Sequence, residues 1–198
     1  MELYDKLTSK YPAVHFSLSK MKTVIEEDDP QAVTRSITFE HDGTEVLKIN
    51  KTLFVVVRDA TTSSSSSEVC DGAIVTETPS HFVGYVELKS ACTTNNVLKA
   101  RSQILASHEL FQAACLSCTY SIDGFVQKGI IVTQPITDET LTKARQRRKR
   151  DDDSKATFSS ARFLLNLING KAQDVTTGIQ FFHVVSGEII ALTKLYKI

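Results

Sequence analysis

The stretch GYVELKSA, residues Gly84–Ala91, decides how this chain is read. An apolar run of this kind predicts a buried strand, yet Glu87 and Lys89 stand inside it two residues apart. Side chains alternate across a strand, so Glu87 and Lys89 share one face, while Phe82, Val86 and Leu88 occupy the other and enter the core. One strand back, VCDGAIVTE (Val69–Glu77) leads through a turn at Thr78-Pro79-Ser80 into HFVGYVELKS (His81–Ser90). A hairpin turning about Pro79 sets Asp71 opposite Glu87. Directly opposed residues project to the same face with Cβ atoms about 4.5–5.5 Å apart. Two carboxylates and one ammonium group then converge on one spot.

Two carboxylates that close repel each other and raise one pKa unless positive charge sits between them. A hard divalent cation suits such a place, because Mg²⁺ takes oxygen ligands and is commonly held by one or two carboxylates plus water. A metal there lowers the pKa of a bound water and polarises a phosphoryl oxygen. Lys89 adds a positive group that orients the attacking water or offsets charge in the transition state. The chemistry this suggests is phosphodiester hydrolysis. The plainer reading is that Glu87 and Lys89 form a solvent-exposed pair on the open face of a sheet, worth under about 1 kcal/mol.

Outward from this hairpin, the chain reads as one α/β domain over residues 1–198, with no internal repeat and no linker. ELYDKLTSKY at the start predicts a short helix. VTRSITFEHDGTEVLKI predicts two strands turning at His41-Asp42-Gly43, since Asp-Gly is a hairpin signal. TLFVVVRDA (Thr52–Ala60) is a β-branched apolar run and predicts a buried strand; the polar TTSSSSSE after it predicts a loop. TTNNVLKARSQILASHELFQAACLSC predicts a long helix, with Val97, Ala100, Ile104, Leu105, Leu110 and Phe111 near helical spacing and Asn95 or Asn96 as its cap. GFVQKGIIVTQP (Gly124–Pro135) predicts another strand. TDETLTKARQRRKR starts like a helix capped by Thr137. SSARFLLNLING (Ser159–Gly170) predicts a helix stopped by Gly170, and IQFFHVVSGEIIALTKLYKI predicts closing strands around Ser186-Gly187.

Asp71, then Glu87-Leu88-Lys89 after a short hairpin, then a helix carrying Lys99, Arg101 and Gln103, together resemble the PD-(D/E)xK nuclease superfamily. The resemblance covers a strand-strand-strand-helix-strand core of about residues 52–135. It implies a mixed central β-sheet flanked by helices, a restriction-endonuclease-like core, and a metal-dependent nuclease as the activity. It further implies that Asp71 and Glu87 bind Mg²⁺ or Mn²⁺, that the carbonyl of Leu88 is a further ligand, and that Lys89 assists the nucleophilic water. The implied partner is nucleic acid, DNA before RNA, met by Lys99, Arg101 and Gln103; no membrane is implied, and a homodimer is compatible with it. Cys70 stands where the family name has Pro. An additional acidic residue on an earlier helix, found in some members, has Glu26, Glu27 and Glu45 as candidates. Exonuclease-type members carry Gln and Tyr four apart on the following helix, whereas Gln103 is followed by Ser107. The rival from another class is an interaction module that keeps the nuclease-like sheet without catalysis and binds nucleic acid or protein; an enzyme acting on another phosphate-containing substrate is a third.

Charge balance narrows the partners. With 23 basic and 23 acidic side chains among 198 residues, the chain as a whole does not attract a polyanion, so nucleic acid must be met by a local patch. KARQRRKR (Lys143–Arg150) is the densest such patch, and Arg147, Arg148, Lys149 and Arg150 are its candidate phosphate contacts. The same run reads as a nuclear-import signal in a host with a nucleus, or as a solvated helix end balanced by Asp151, Asp152 and Asp153. No apolar stretch approaches the roughly 20 residues of a membrane span. MELYDKLTSKYPAV lacks the pattern of a secretory signal. Four irregularly spaced cysteines do not suit a disulfide framework. An intracellular, reducing location is expected. Cys115 and Cys118 have half-site spacing for zinc or redox chemistry, with Cys92 and His108 as further zinc ligands to recruit, but the apolar face of a helix accounts for them too. His81 lies close to the hairpin turn, and His183 is expected as a satisfied core histidine.

Overall fold

The computed structural model describes residues 1–61, 68–153 and 159–196. The elements are α1 (Glu2–Lys10), β1 (Ser17–Ser19), β2 (Lys22–Glu26), β3 (Ser36–Glu40), β4 (Val46–Asn50) and α2 (Lys51–Ala60). There follow β5 (Gly72–Thr76), β6 (Phe82–Lys89), α3 (Thr94–Ser117), β7 (Val126–Thr133), α4 (Asp138–Asp153) and α5 (Ser160–Ile168). The chain then adds β8 (Ala172–Gln173), β9 (Gln180–Val185), β10 (Ile189–Ala191) and α6 (Leu192–Tyr196). Of the serine-rich tract expected as a loop, residues 62–67 lie outside the described residues.

Among the described residues, seven strands form one sheet in the order β1-β4-β5-β6-β7-β9-β8, and three form a second, β10-β3-β2. Strands β4, β5 and β6 make an antiparallel meander, while β6, β7 and β9 run parallel, so the large sheet is mixed. Parallel neighbours need a long crossover, and α3 supplies the one between β6 and β7. Helix α3 is capped by Thr93, whose hydroxyl accepts from the Asn96 N–H at 3.2 Å, ahead of both expected caps, Asn95 and Asn96. Its Val97, Ala100, Ile104, Phe111 and Ala114 face the sheet and are fully buried.

The two faces of the large sheet are covered differently. On one, Ala73, Val75, Val83 and Tyr85 pack with Leu3 and Leu7 of α1, Leu53 and Phe54 of α2, the apolar side of α3, and Leu164 of α5. On the other, Phe82, Val86, Leu88, Ile130 and Val132 meet Ile25, Ile37 and Phe39 of the small sheet and Leu192 and Leu195 of α6. The fold is thus a mixed central β-sheet flanked by helices, with the small sheet as a third layer. Strand β6 lies in the middle with both faces dry. No helix of the described residues is long and apolar enough to cross a membrane.

Three local readings change. Residues 52–60, expected as a strand, belong to α2. Leu53, Phe54 and Val57 form a one-sided stripe that buries, while Val56 is exposed; packing of that stripe overrides the β-branched preference. Strands β3 and β4 do not form a hairpin about His41-Asp42-Gly43, because β3 pairs with β2 and β10 while β4 pairs with β1 and β5. His41 closes that connection instead, its Nδ1–H donating to the Thr44 carbonyl at 2.9 Å and its Nε2 accepting from Thr23. At the C-terminal end, β9 and β10 flank Ser186-Gly187 but join different sheets, and residues 192–196 are helical. The succession strand-strand-strand-helix-strand therefore runs from Val46 to Thr133, with α2 between its first two strands.

Candidate active site

The β5–β6 register decides which charges meet. Gly72 pairs with Val86 and Thr76 with Phe82, and one step beyond the ladder the Asp71 N–H donates to the Val86 carbonyl at 3.0 Å. Asp71 is therefore opposite Glu87, on the helix-covered face that carries Ala73 and Tyr85. Past Val86 the ladder is completed by a side chain: the Leu88 N–H donates to Asp71 Oδ2 at 2.8 Å. Lys89, two residues on and on the same face, donates to Glu87 Oε1.

The hairpin is held from above by α3. The Gln103 side-chain amide donates to the Val69 carbonyl at 3.1 Å, and the Ser107 hydroxyl accepts from the Cys70 N–H at 2.8 Å. Both side chains fix the two residues that lead into Asp71. Gln103, expected at the substrate surface, is thus interior, 6% exposed.

Burial sets the electrostatics. Glu87 is only 1% exposed, which excludes an open-face ion pair. Desolvation, followed by repulsion from Asp71, pushes its carboxyl up to about 8 against the pull of Lys89. Desolvation likewise lifts Asp71 to about 6, against the Leu88 N–H bond that favours its charged form; Glu27 adds to the rise. Glu87 Oε2 is buried without a hydrogen-bond partner among the described residues. An unpaired buried carboxylate oxygen is costly, so native interiors seldom keep one.

Two further groups complete the cluster. The Lys51 ammonium, on the first residue of α2, lies 3.7 Å from Asp71 Oδ1. Burial pulls its pKa down, but Asp71, Glu27, Glu87 and Asp28 together outweigh that and leave it raised. Of the three candidate additional acids, Glu27 is the one whose charge reaches Asp71 and Glu87. Glu45 instead pairs with the N-terminal amine and with Lys20, and Glu26 is exposed on β2. Lys51 was hidden from sequence reasoning because residues 52–60 read as a strand; the helical stripe Leu53-Phe54-Val57 was the signal that pointed to a helix start there.

The donor set fits a hard cation. Asp71 Oδ1 and Glu87 Oε2 are oxygens not taken by the hydrogen bonds above, and two carboxylates completed by water and phosphate oxygens suit Mg²⁺ or Mn²⁺. Among the described residues, no three His, Cys, Asp or Glu side chains gather closely enough to cage a metal by themselves. The Leu88 side chain points to the opposite core, and its backbone N–H is the group seen at the site.

Of the other singled-out residues, Lys99 stays near the cluster through Glu68, whose carboxyl also feels the charges of Lys89 and Lys51. Lys99 pairs with Glu68 at 2.7 Å, and Arg101 pairs with Asp174 and stands over the Phe163 ring. Arg147, Arg148, Lys149 and Arg150 are exposed on α4, with Arg148 3.5 Å from Asp152. Cys115 is buried and its thiol pushed up to about 12 by desolvation, so it is an inert core residue rather than a reactive one. His108 bonds Tyr85, and His183 bonds the Thr133 hydroxyl at 2.8 Å. Compared with family models, curated proteins and solved structures, the chain matches none.

Proposed function

We propose that this protein is a metal-dependent nuclease that hydrolyses phosphodiester bonds of nucleic acid, DNA before RNA. The observation that carries the reading is the meeting of Asp71 and Glu87 at one end of neighbouring strands, both desolvated, with Glu87 Oε2 lacking a partner among the described residues. A site that keeps two carboxylates in the interior without full compensation is poised for a cation.

In this reading Asp71 and Glu87 hold Mg²⁺ or Mn²⁺, with the Leu88 carbonyl as a further ligand. When bound, the metal supplies an acidified water and a polarised phosphoryl oxygen. Lys89 keeps its ammonium beside Glu87, where it orients the attacking water and offsets negative charge as the phosphoryl group is attacked. The Leu88 N–H fixes the Asp71 carboxylate, and Gln103 and Ser107 hold the strand that presents it. The meander β4-β5-β6 followed by α3 and parallel β7 supports the resemblance to the PD-(D/E)xK superfamily.

The test is purified protein incubated with DNA and with RNA, in Mn²⁺ or in EDTA. Cutting in Mn²⁺ alone is expected, and it is expected to vanish in Lys89→Ala, which stays folded but melts lower because the buried Glu87 Oε1 loses its partner. Undiminished cutting by Lys89→Ala removes the lysine from the reaction. The second reading, a non-catalytic binding module, is favoured by the ion pairs that already engage Lys89 and Lys51; binding without cutting in the same assay selects it.

A further inference from the structure

Asp71 has two carboxylate oxygens with different fates: Oδ2 accepts the Leu88 N–H, while Oδ1 faces the Lys51 ammonium at 3.7 Å. Glu87 is divided in the same way, with Oε1 taken by Lys89 and Oε2 without a partner among the described residues. A divalent cation held by both residues would draw on Oδ1 and Oε2, the two oxygens that accept no hydrogen bond from the described residues. Lys51 therefore stands on one of the two oxygens that such a cation needs.

We propose that Lys51 is a tethered stand-in cation, which pairs with Asp71 Oδ1, yields that oxygen to an incoming metal and turns to the substrate phosphate. The inference rests on the metal-site reading above and adds a residue that the Asp71, Glu87 and Lys89 constellation does not include. Two observations carry it beside the contact itself. Lys51 is the first residue of α2, so its stem is anchored by a helix while its side chain stays about one-third exposed. The acids whose charge reaches it include Glu27 and Asp28 after β2, Asp71 before β5 and Glu87 on β6, and Glu68 ahead of β5 feels it in turn. Their summed field holds an ammonium at the mouth of the cluster, and divalent charge entering the same field removes the reason for it to stay at Asp71. Lys89 does not take this role, because it sits on the other carboxylate.

Two cations competing for one oxygen oppose each other's binding, and this sets the test. Mn²⁺ binding is measured by calorimetry, without substrate, for wild type, Lys51→Met and Lys51→Arg. Binding of a phosphorothioate DNA oligonucleotide is then measured for each in the presence of Mn²⁺. Removing the competing charge in Lys51→Met is expected to tighten Mn²⁺ roughly tenfold or more and to weaken the oligonucleotide, while Lys51→Arg stays near wild type in both. Lys51→Gln gives a second neutral side chain should the Met variant melt early. If wild type binds Mn²⁺ but the neutral variants bind it equally or more weakly, Lys51 merely supports Asp71 and the stand-in role is overturned, with the metal site left standing. If wild type binds no Mn²⁺, the metal site fails and the stand-in role fails with it.

Discussion

Glu87 sets the sign of the pH dependence at the scale of single residues. Its carboxyl rises from 4.5 unfolded to about 8 in the fold, and that of Asp71 from 3.8 to about 6, desolvation leading in both. Between the unfolded and folded values the native state binds more protons than the unfolded chain, so stability falls as pH rises through that window and levels off above it. With one unit worth about 1.4 kcal/mol, the loss from Glu87 between pH 5 and pH 8 is on the order of a few kcal/mol. In EDTA the thermal midpoint is expected to fall across this range, and Glu87→Gln, which cannot ionise, is expected to flatten the fall. A Glu87→Gln profile parallel to wild type contradicts the assignment. The sequence pattern placed Asp71, Glu87 and Lys89 on one face, but the depth of Glu87 was not in it. Alternation names a face without saying what covers it, and α3 covers this one.

At the scale of elements, α3 acts as the beam from which the Asp71 segment hangs. Ser107→Ala leaves the buried Cys70 N–H without an acceptor, at a cost of about 1–3 kcal/mol. A lower melting midpoint is expected, together with a fall in kcat at little change in KM, since Asp71 loses its fixed position and no substrate contact is removed. Steady-state kinetics beside a melting curve check both. The elements also mark where the sequence was legible. β5, β6, α3 and β7 followed from apolar runs, the Pro79 turn and helical spacing, because each carries a local signal. Helix α2 did not, since three consecutive valines favour a strand locally and only the packing of Leu53, Phe54 and Val57 reverses this. Strands β3 and β4 part company for a similar reason: an Asp-Gly turn specifies a reversal, not which sheet the next strand joins. Glu27 could not be separated from Glu26 and Glu45 because its approach to Asp71 depends on how the small sheet stacks on the large one.

At the scale of the whole molecule, a formal charge of zero conceals a division of labour. Acids gather where β2, β5 and β6 end or begin, and α4 displays Arg145, Arg147, Arg148, Lys149 and Arg150 to solvent. If that helix grips phosphates, replacing Arg147, Arg148, Lys149 and Arg150 by glutamine weakens DNA binding and lowers the log–log salt slope by about 0.9 for each duplex phosphate that is no longer neutralised. Turnover at saturating DNA is expected to stay near wild type; an unchanged salt slope excludes α4 from the interface. The central claim, that Asp71 and Glu87 together seat one divalent cation, is tested most directly by an anomalous difference map from crystals grown in Mn²⁺. A single strong peak beside the Asp71 and Glu87 carboxylates is expected, absent in Asp71→Ala. A map with no peak there, or with manganese bound only elsewhere, contradicts it.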